Sequence, residues 1–140
     1  MSMERTVSII KPDATKRNLT GLINQRLEQA GFRIIAQKRI HMTLELSQKF
    51  YSVHKGHPYF EILSRFMCSG PIIVQILEGE DVVNKNRAIM GNTIPEKADE
   101  GTIRKDFGLN VAENSIHGSE SIERAQYEIE FFFRPNEIVG

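Results

Sequence analysis

The sequence predicts an α+β fold of the split βαβ, ferredoxin-like kind, a four-stranded antiparallel sheet covered by helices on one face. Three observations carry this reading. Stretches with β character alternate with amphipathic helical stretches in the order β-α-β, helices, β-α-β, α. Glycine or proline stands at most of the junctions. The 140 residues suffice for one core spanning 1–140 and fall short of two ordinary domains. The same order also admits other α/β sandwiches, and a ferredoxin-like sheet hosts many unrelated functions. Function therefore has to be read from the residues.

The first strand is RTVSIIK, 5–11, in which Val7 and Ile9 alternate with Thr6, Ser8 and Ile10. Pro12 stops it, because proline has no N–H for the ladder. In NLTGLINQRLEQAG, 18–31, Leu19, Leu22, Ile23, Leu27 and Ala30 fall at helical spacing, and Gly31 supplies a left-handed stop. FRIIAQKRIH, 32–41, reads as a second strand with Ile34, Ala36 and Ile40 on one face and Ile35, Gln37 and Arg39 on the other. Helical segments follow around LSQKFYSVH, 46–54, and HPYFEILSRFMCSG, 57–70. The second has Pro58 in its first turn and a stripe of Tyr59 or Phe60, Leu63, Phe66 and Met67, with one of the two aromatics facing the core and the other a cleft. PIIVQILEG, 71–79, is a short apolar run bounded by Pro and Gly, the mark of a buried central strand. EDVVNKNRAIMG, 80–91, carries Val82, Val83, Asn86, Ile89 and Met90 at helical spacing and ends in glycine. Residues 92–113 show no sustained period, and loops of that length tend to be functional or flexible. NSIHG, 114–118, is a short last strand. SESIERAQYEIEFFF is a last helix, with Ser119 or Ser121 as N-cap and Ile122, Ala125, Ile129, Phe132 and Phe133 on its core face.

Composition removes several function classes. The 18 basic and 18 acidic residues cancel, so the basic footprint of nucleic-acid binding is missing and nucleic acid is not an expected partner. The apolar runs are far too short for a membrane span. A lone cysteine, Cys68, cannot close an intrachain disulfide, and the first residues lack an apolar signal region, so a reducing cytoplasm is the expected compartment. Cys68 itself reads as a small hydrophobe on the apolar side of a helix.

The common phosphate devices are missing too: there is no G-x-x-x-x-G-K-[ST] loop, no G-x-G-x-x-G and no kinase H-R-D or D-F-G set, and HGSES is not a nucleophile elbow. What remains is dispersed. Lys11 ends the first strand, Arg87 lies on the helix after the third, Arg104 stands beside Thr102 in the aperiodic stretch, and Asn114 and His117 flank the last strand. Cationic groups at strand ends and helix starts can converge on a polyphosphate, although each alone reads more readily as a solvated surface charge. His117 alone reads as a histidine satisfied under a loop. Two neighbours argue for more: Gly118 permits close approach, and Ser119 sits at a helix start, where N–H groups favour anions. His54 and His57, in HKGH, have no third ligand nearby in sequence, and no protein-bound metal site is expected.

At this point a resemblance becomes visible. NSIHGSE, 114–120, is similar to the N-x-x-H-G-S-D signature of nucleoside diphosphate kinases, and the likeness runs along nearly the whole chain through ERTVSIIKPDA, FYSVHKGHPYF, SGPIIVQILEGE, NRAIMGNTIPEKADEGTIRKDF and EIEFFF. The resemblance implies the ferredoxin-like fold and an enzyme that transfers the γ-phosphoryl group of a nucleoside triphosphate, mainly ATP, to a nucleoside diphosphate by a ping-pong route through phosphohistidine. By position in its motif, His117 matches the family nucleophile, which accepts the phosphoryl group on Nδ1. Glu128 matches the carboxylate that orients the ring, and Ser119 matches its hydroxyl partner. Lys11, Tyr51, Arg87, Thr93, Arg104 and Asn114 fall on nucleotide-binding positions. Of these, Lys11 and Asn114 are implied to serve the ribose 3′-hydroxyl and the transferring phosphate. Arg87, Thr93 and Arg104 are implied to serve the outer phosphates together with Mg²⁺, which is bound mainly through those phosphates. Tyr59 stands where the family usually has a phenylalanine stacked on the base, with Val111 opposite. The resemblance further implies a homo-oligomer, a tetramer or hexamer built from dimers.

Three positions depart from the family pattern. Glu120 replaces the signature aspartate, His57 stands where arginine is frequent, and Tyr59 adds a hydroxyl beside the base. The expected effects are on cap geometry and nucleotide affinity. Two other classes compete: a nucleotide-binding module without catalysis, which forms no acid-labile phosphoprotein, and a nucleic-acid binder, whose affinity falls steeply with salt.

Overall fold

The computed structural model describes residues 3–140 and arranges β1 (Met3–Ile10), β2 (Arg33–Ile40), β3 (Ile72–Glu80) and β4 (Ile116–Gly118) in one sheet of order β2-β3-β1-β4. All neighbouring strands are antiparallel. With helices between β1 and β2 and between β3 and β4, this is the ferredoxin-like arrangement that the alternation predicts. Seven α-helices accompany the strands among the described residues, six between them and the last after β4: α1 (Pro12–Lys16), α2 (Thr20–Gln29), α3 (Leu44–Phe50), α4 (Tyr59–Met67), α5 (Val82–Met90), α6 (Ile103–Phe107) and α7 (Ile122–Phe132).

Helices cover both faces of the sheet, which corrects the expectation of one covered face. Ile23 and Leu27 of α2, Val82 and Met90 of α5 and Ile103 of α6 pack with Ile10, Ile73, Leu77 and Ile116 on one side. Phe50 of α3, Phe60 and Met67 of α4 and Phe132 of α7 pack with Val7, Ile9, Val74 and Ile76 on the other. The inner strands are accordingly buried from Thr6 to Ile10 and from Ile72 to Leu77. Each large apolar side chain placed there contributes about 1.5–3 kcal/mol, so the C-terminal end of β1 is held from both sides.

The β2 register differs from expectation. Ile34 lies opposite Leu77 and Ala36 opposite Ile76, adjacent β3 residues that point to opposite faces, so Ile34 and Ala36 do not share a face. Ile35 is the extra residue of a bulge, and it joins Ala36 in the core under α7. Leu22 and Ala30, read at helical spacing, and Ile122, expected on a core face, are exposed. Pro12 both stops β1 and opens α1, where its fixed φ suits a first helical residue. The aperiodic stretch contains a 3₁₀ turn, Pro95–Lys97, and α6, whose N-cap Thr102 accepts from the Lys105 N–H. Ser121 is the N-cap of α7, accepting from the Arg124 N–H at 3.0 Å, which frees Ser119 for another role. Phe60 turns to the core and Tyr59 outward.

The glycine after His117 brings β4 against α5. A Cβ on Gly118 would lie 2.5 Å from Asn86 Nδ2 and 2.7 Å from Met90 Sδ, both on the buried side of α5. Gly118→Ala is expected to cost about 1–3 kcal/mol by overpacking. The measurement is a urea midpoint that falls at unchanged m; an unchanged midpoint would show that α5 yields without cost.

Candidate active site

Backbone pairing places the histidine. Ile9 of β1 lies opposite His117 of β4, so the imidazole projects on the face covered by α7. Lys11, the first residue beyond β1, donates its N–H to the Ser115 carbonyl at 2.9 Å. The entry to β4 is held by Asp13 on α1, which is buried and accepts from the Ser115 N–H at 3.2 Å, from Ser115 Oγ at 2.8 Å and from Arg17 Nη2 at 2.9 Å. Ser115 has φ 75°, a conformation that costs a serine on the order of 1–3 kcal/mol and persists because its surroundings impose it.

His117 Nε2 stands 2.9 Å from Glu128 Oε1. An ionised carboxylate only accepts, so Nε2 carries the proton and Nδ1 keeps its lone pair. Glu128 is 1% exposed and fully engaged: Ser119 Oγ donates to Oε1 at 2.8 Å and Arg124 Nε to Oε2 at 2.7 Å. Burial acts to raise the Glu128 pKa, but attraction to the His117 ring whenever that ring is protonated, and the hydrogen bonds from His117, Ser119 and Arg124, outweigh it and hold the carboxyl below its ordinary value. Ser119 is fixed in turn by β1, since the Val7 N–H donates to its Oγ at 3.3 Å and its own N–H donates to the Val7 carbonyl at 3.2 Å. The Phe50 ring stands edge-on to the imidazole, with centroids 5.5 Å apart.

Opposite this unit lie buried cations. Arg104 donates from Nη1 to the Gly91 carbonyl at 3.1 Å and from Nη2 to the Ile116 carbonyl at 2.7 Å. Its Nε finds no partner among the described residues. Burial, and then the charge of Arg87, lowers its pKa to about 10. Burial, and then repulsion by Arg104, lowers Lys11 to about 7, with Asp13 acting weakly the other way. Among the described residues the Lys11 ammonium reaches only the Ala112 carbonyl, at 3.4 Å. Asn114 is buried and donates to the Thr93 and Val111 carbonyls at 2.9 and 3.2 Å, while neither its Oδ1 nor the buried Tyr51 hydroxyl has a partner among the described residues. Buried polar groups left in this state cost about 1–3 kcal/mol each, and a polar ligand in the cleft could satisfy them.

Two adjoining cavities result. A charged one of about 290 Å³ is lined by Lys11, Tyr51, Arg87, Thr93, Arg104, Val111, Asn114, His117 and Glu128. A largely apolar one of about 430 Å³ has Tyr59, Ile62 and Ile94 in its wall and shares His54, Leu63, Thr93 and Val111 with the first. The structure thus gathers the site residues that the resemblance implies, with Ser119 beneath the first cavity and Tyr59 in the second. Sequence reasoning missed Asp13, Phe50 and Arg124 as parts of the site. For Arg124 the signal was an i,i+4 spacing from Glu128. For Asp13 there was none, because its partner Ser115 lies 102 residues away.

A charged pocket that presents an imidazole lone pair, joined to an apolar slot, suits a molecule with a polyphosphate at one end and a flat ring at the other. Comparison with known proteins agrees. The family model described as nucleoside diphosphate kinase matches residues 4–138. A nucleoside diphosphate kinase of Cereibacter sphaeroides is 61% identical over 140 residues, and one of Rhizorhabdus wittichii is 59% identical, each covering 100% of both chains. Among solved structures, the nucleoside diphosphate kinase of Aquifex aeolicus superposes with a TM-score of 0.96 at 44% identity, over 99% of this chain and 100% of that one. The Halobacterium salinarum nucleoside diphosphate kinase, solved in complex with CDP, gives 0.95 at 37% identity, over 99% and 93%.

Proposed function

The chain belongs to the nucleoside diphosphate kinase family of enzymes, and from that premise we propose that His117 Nδ1 takes the γ-phosphoryl group of a triphosphate, mainly ATP, and passes it to a second nucleoside diphosphate. The observation that carries this reading is the bond from Nε2 to Glu128, which leaves Nδ1 as the free lone pair in a cleft ringed by Lys11, Arg87 and Arg104. In the first half-reaction the Nδ1 lone pair forms a bond to the γ-phosphorus. The bond from that phosphorus to the bridging β-oxygen breaks, and its electrons leave on the diphosphate. The ring gains positive charge, and Glu128 stabilises it by holding the Nε2 proton in place. A terminal oxygen of the second diphosphate then attacks the same phosphorus, and the P–N bond breaks. The two steps are mirror images, so one set of side chains serves both.

Positioning and charge stabilisation are most of what phosphoryl transfer asks of a protein. Arg87, Thr93 and Arg104 serve the outer phosphates, and Lys11 and Asn114 the transferring phosphate and the ribose 3′-hydroxyl. Tyr51 offers its hydroxyl to the same cavity. The donor set of guanidinium, ammonium and amide groups around Lys11, Arg87, Arg104 and Asn114 fits a metal that arrives chelated by phosphate, and Mg²⁺ so bound would supply charge neutralisation to the phosphates. Tyr59 and Val111 hold the base between them; stacking contributes on the order of 1–3 kcal/mol and treats every base alike, which suits an enzyme of broad acceptor range. We place this enzyme in a reducing cytoplasm as a homo-oligomer, a tetramer or hexamer built from dimers. Among the described residues no helix is long and apolar enough to cross a membrane.

Incubation with γ-labelled ATP and Mg²⁺ tests the reading. The expected product is an acid-labile, alkali-stable phosphoprotein that GDP discharges to labelled GTP. Tight nucleotide binding without label would leave only a binding module.

Lys11 adds a pH signature. Without a phosphate beside it the ammonium loses its proton near pH 7, and a bound polyphosphate favours the charged form. Triphosphate affinity should therefore fall as pH rises through about 7, with proton uptake on binding above that pH. Calorimetry in two buffers of different ionisation heat reads the uptake. Lys11→Met should remove it, and persistence in that variant would assign the proton to another group.

A further inference from the structure

Arg124 has no part in the assignments above, yet it lines the charged cavity and touches both groups that flank the imidazole. Its Nε donates to Glu128 Oε2 at 2.7 Å, and its Nη2 donates to the Phe50 carbonyl at 2.8 Å. The guanidinium carbon lies 4.6 Å from the Tyr127 ring centroid and 5.4 Å from that of Phe50. Glu128 in turn holds His117 Nε2, and the Phe50 ring stands edge-on to the imidazole. One planar fork thus grips the acceptor on one side of the ring and the aromatic wall on another. Phe50 is the last residue of α3, so its carbonyl is among those that a helix leaves unpaired at its C-terminus, where a cation is favoured. The arginine side chain is 21% exposed, and confinement on several sides costs rotamer freedom that a solvated surface charge keeps.

We infer that Arg124 is a positioning residue for phosphoryl transfer. By engaging Oε2 it leaves Oε1 to His117 and Ser119, and by tying Glu128 to the end of α3 it fixes the rotation of the ring, so that Nδ1 faces the incoming phosphorus. The inference rests on His117 being the nucleophile. Arg124 touches neither the ring nor the reacting atoms, and its effect belongs to the chemical step. Misplacement of a reacting group by an ångström can cost up to about 10²-fold, and loosening a carboxylate that keeps its other two bonds should cost less.

Single-turnover phosphorylation of the full chain by MgATP tests this. Arg124→Ala should lower the saturating rate constant about tenfold and leave the nucleotide dissociation constant unchanged. Arg124→Lys should fall between it and wild type, because one ammonium keeps the charge but cannot hold Oε2 and the Phe50 carbonyl in a fixed fork. Ethylguanidinium in solution should restore part of the Arg124→Ala rate. In a Glu128→Gln background the same alanine change should cost nothing or recover activity, since the group being positioned is already altered. Weaker nucleotide binding at an unchanged saturating rate would make Arg124 a phosphate contact and overturn the inference. So would equal losses in both backgrounds, or a wild-type rate in Arg124→Lys should the alanine variant not fold. Absence of label in the wild-type protein would instead overturn the His117 assignment, and this inference with it.

Discussion

His117→Ala should lose at least about 10⁴-fold in turnover and all acid-labile label, because covalent catalysis has no fallback in this cleft. The two cavities, of about 290 and 430 Å³, together suit one nucleotide, with phosphates at the charged end and the base in the apolar slot. Direct transfer would need two nucleotides there at once. Without the histidine, a donor phosphate in the charged cavity would face Lys11, Arg87 and Arg104, which could bind it but could not carry it to a second diphosphate. The fold should survive the change. Glu128 keeps Ser119 and Arg124 as partners, so the expected loss is one hydrogen bond to a charged group, about 1.5–3 kcal/mol. Coupled-assay turnover, a labelling gel and a denaturation curve on the same preparation check all three expectations. Turnover within about tenfold of wild type would end the phosphohistidine mechanism, since ordinary mutational losses at a nucleophile are far larger.

Much of this arrangement was legible in the sequence, and the failures have physical causes. The elements β3, α5 and α7 are long or strongly patterned enough for their periods to show. The helices α1 and α6 have 5 residues each, less than two turns, and five residues cannot display a period of 3.6. The β2 bulge is hidden because Ile34, Ile35 and Ala36 are all apolar, so a one-residue slip changes no letter of the binary pattern. Helices on the second face of the sheet could have been anticipated. PIIVQILEG reads as buried throughout, and a strand buried on both sides needs a layer on each. In the site, residue types and positions singled out Lys11, Arg87, Arg104, Asn114 and His117, but only the likeness to a known family joined them. Their junctions are long-range: the Lys11 ammonium meets a carbonyl 101 residues away, and the Val7 N–H meets Ser119 across 112. Composition and spacing carry no information on such pairings. Glu128 illustrates the limit well, since on the helix alone it is an acid at the margin of an apolar face, and what turns it inward is Ser119, His117 and Arg124 together.

Glu128→Gln should slow phosphorylation of His117 by about 10- to 100-fold, the equivalent of one lost charge-assisted hydrogen bond. The change is nearly isosteric, so the argument lies in its donors and acceptors. In one orientation the amide oxygen takes Oε1's place, accepting from His117 and Ser119, and the NH₂ then meets the Arg124 Nε–H, donor against donor, at a site where 2.7 Å now separates a charged pair. In the other orientation the oxygen satisfies Arg124, and the NH₂ must donate to His117 Nε2. That selects the imidazole with its proton on Nδ1, the form without a lone pair for phosphorus. Stability should fall as well, and its pH dependence has a fixed sign. A carboxyl held below its ordinary value of 4.5 contributes stability that is full above that value and is lost as pH falls through the lower, folded value. The stability gap between wild type and Glu128→Gln should thus be constant near neutrality and narrow in acid. Denaturation midpoints measured from pH 7 downward read the gap, and rapid-quench labelling reads the rate. A wild-type rate in the glutamine variant would show that the carboxylate neither selects the tautomer nor stabilises the charged ring, and would leave His117 to act with its geometry set by β4 and Phe50 alone.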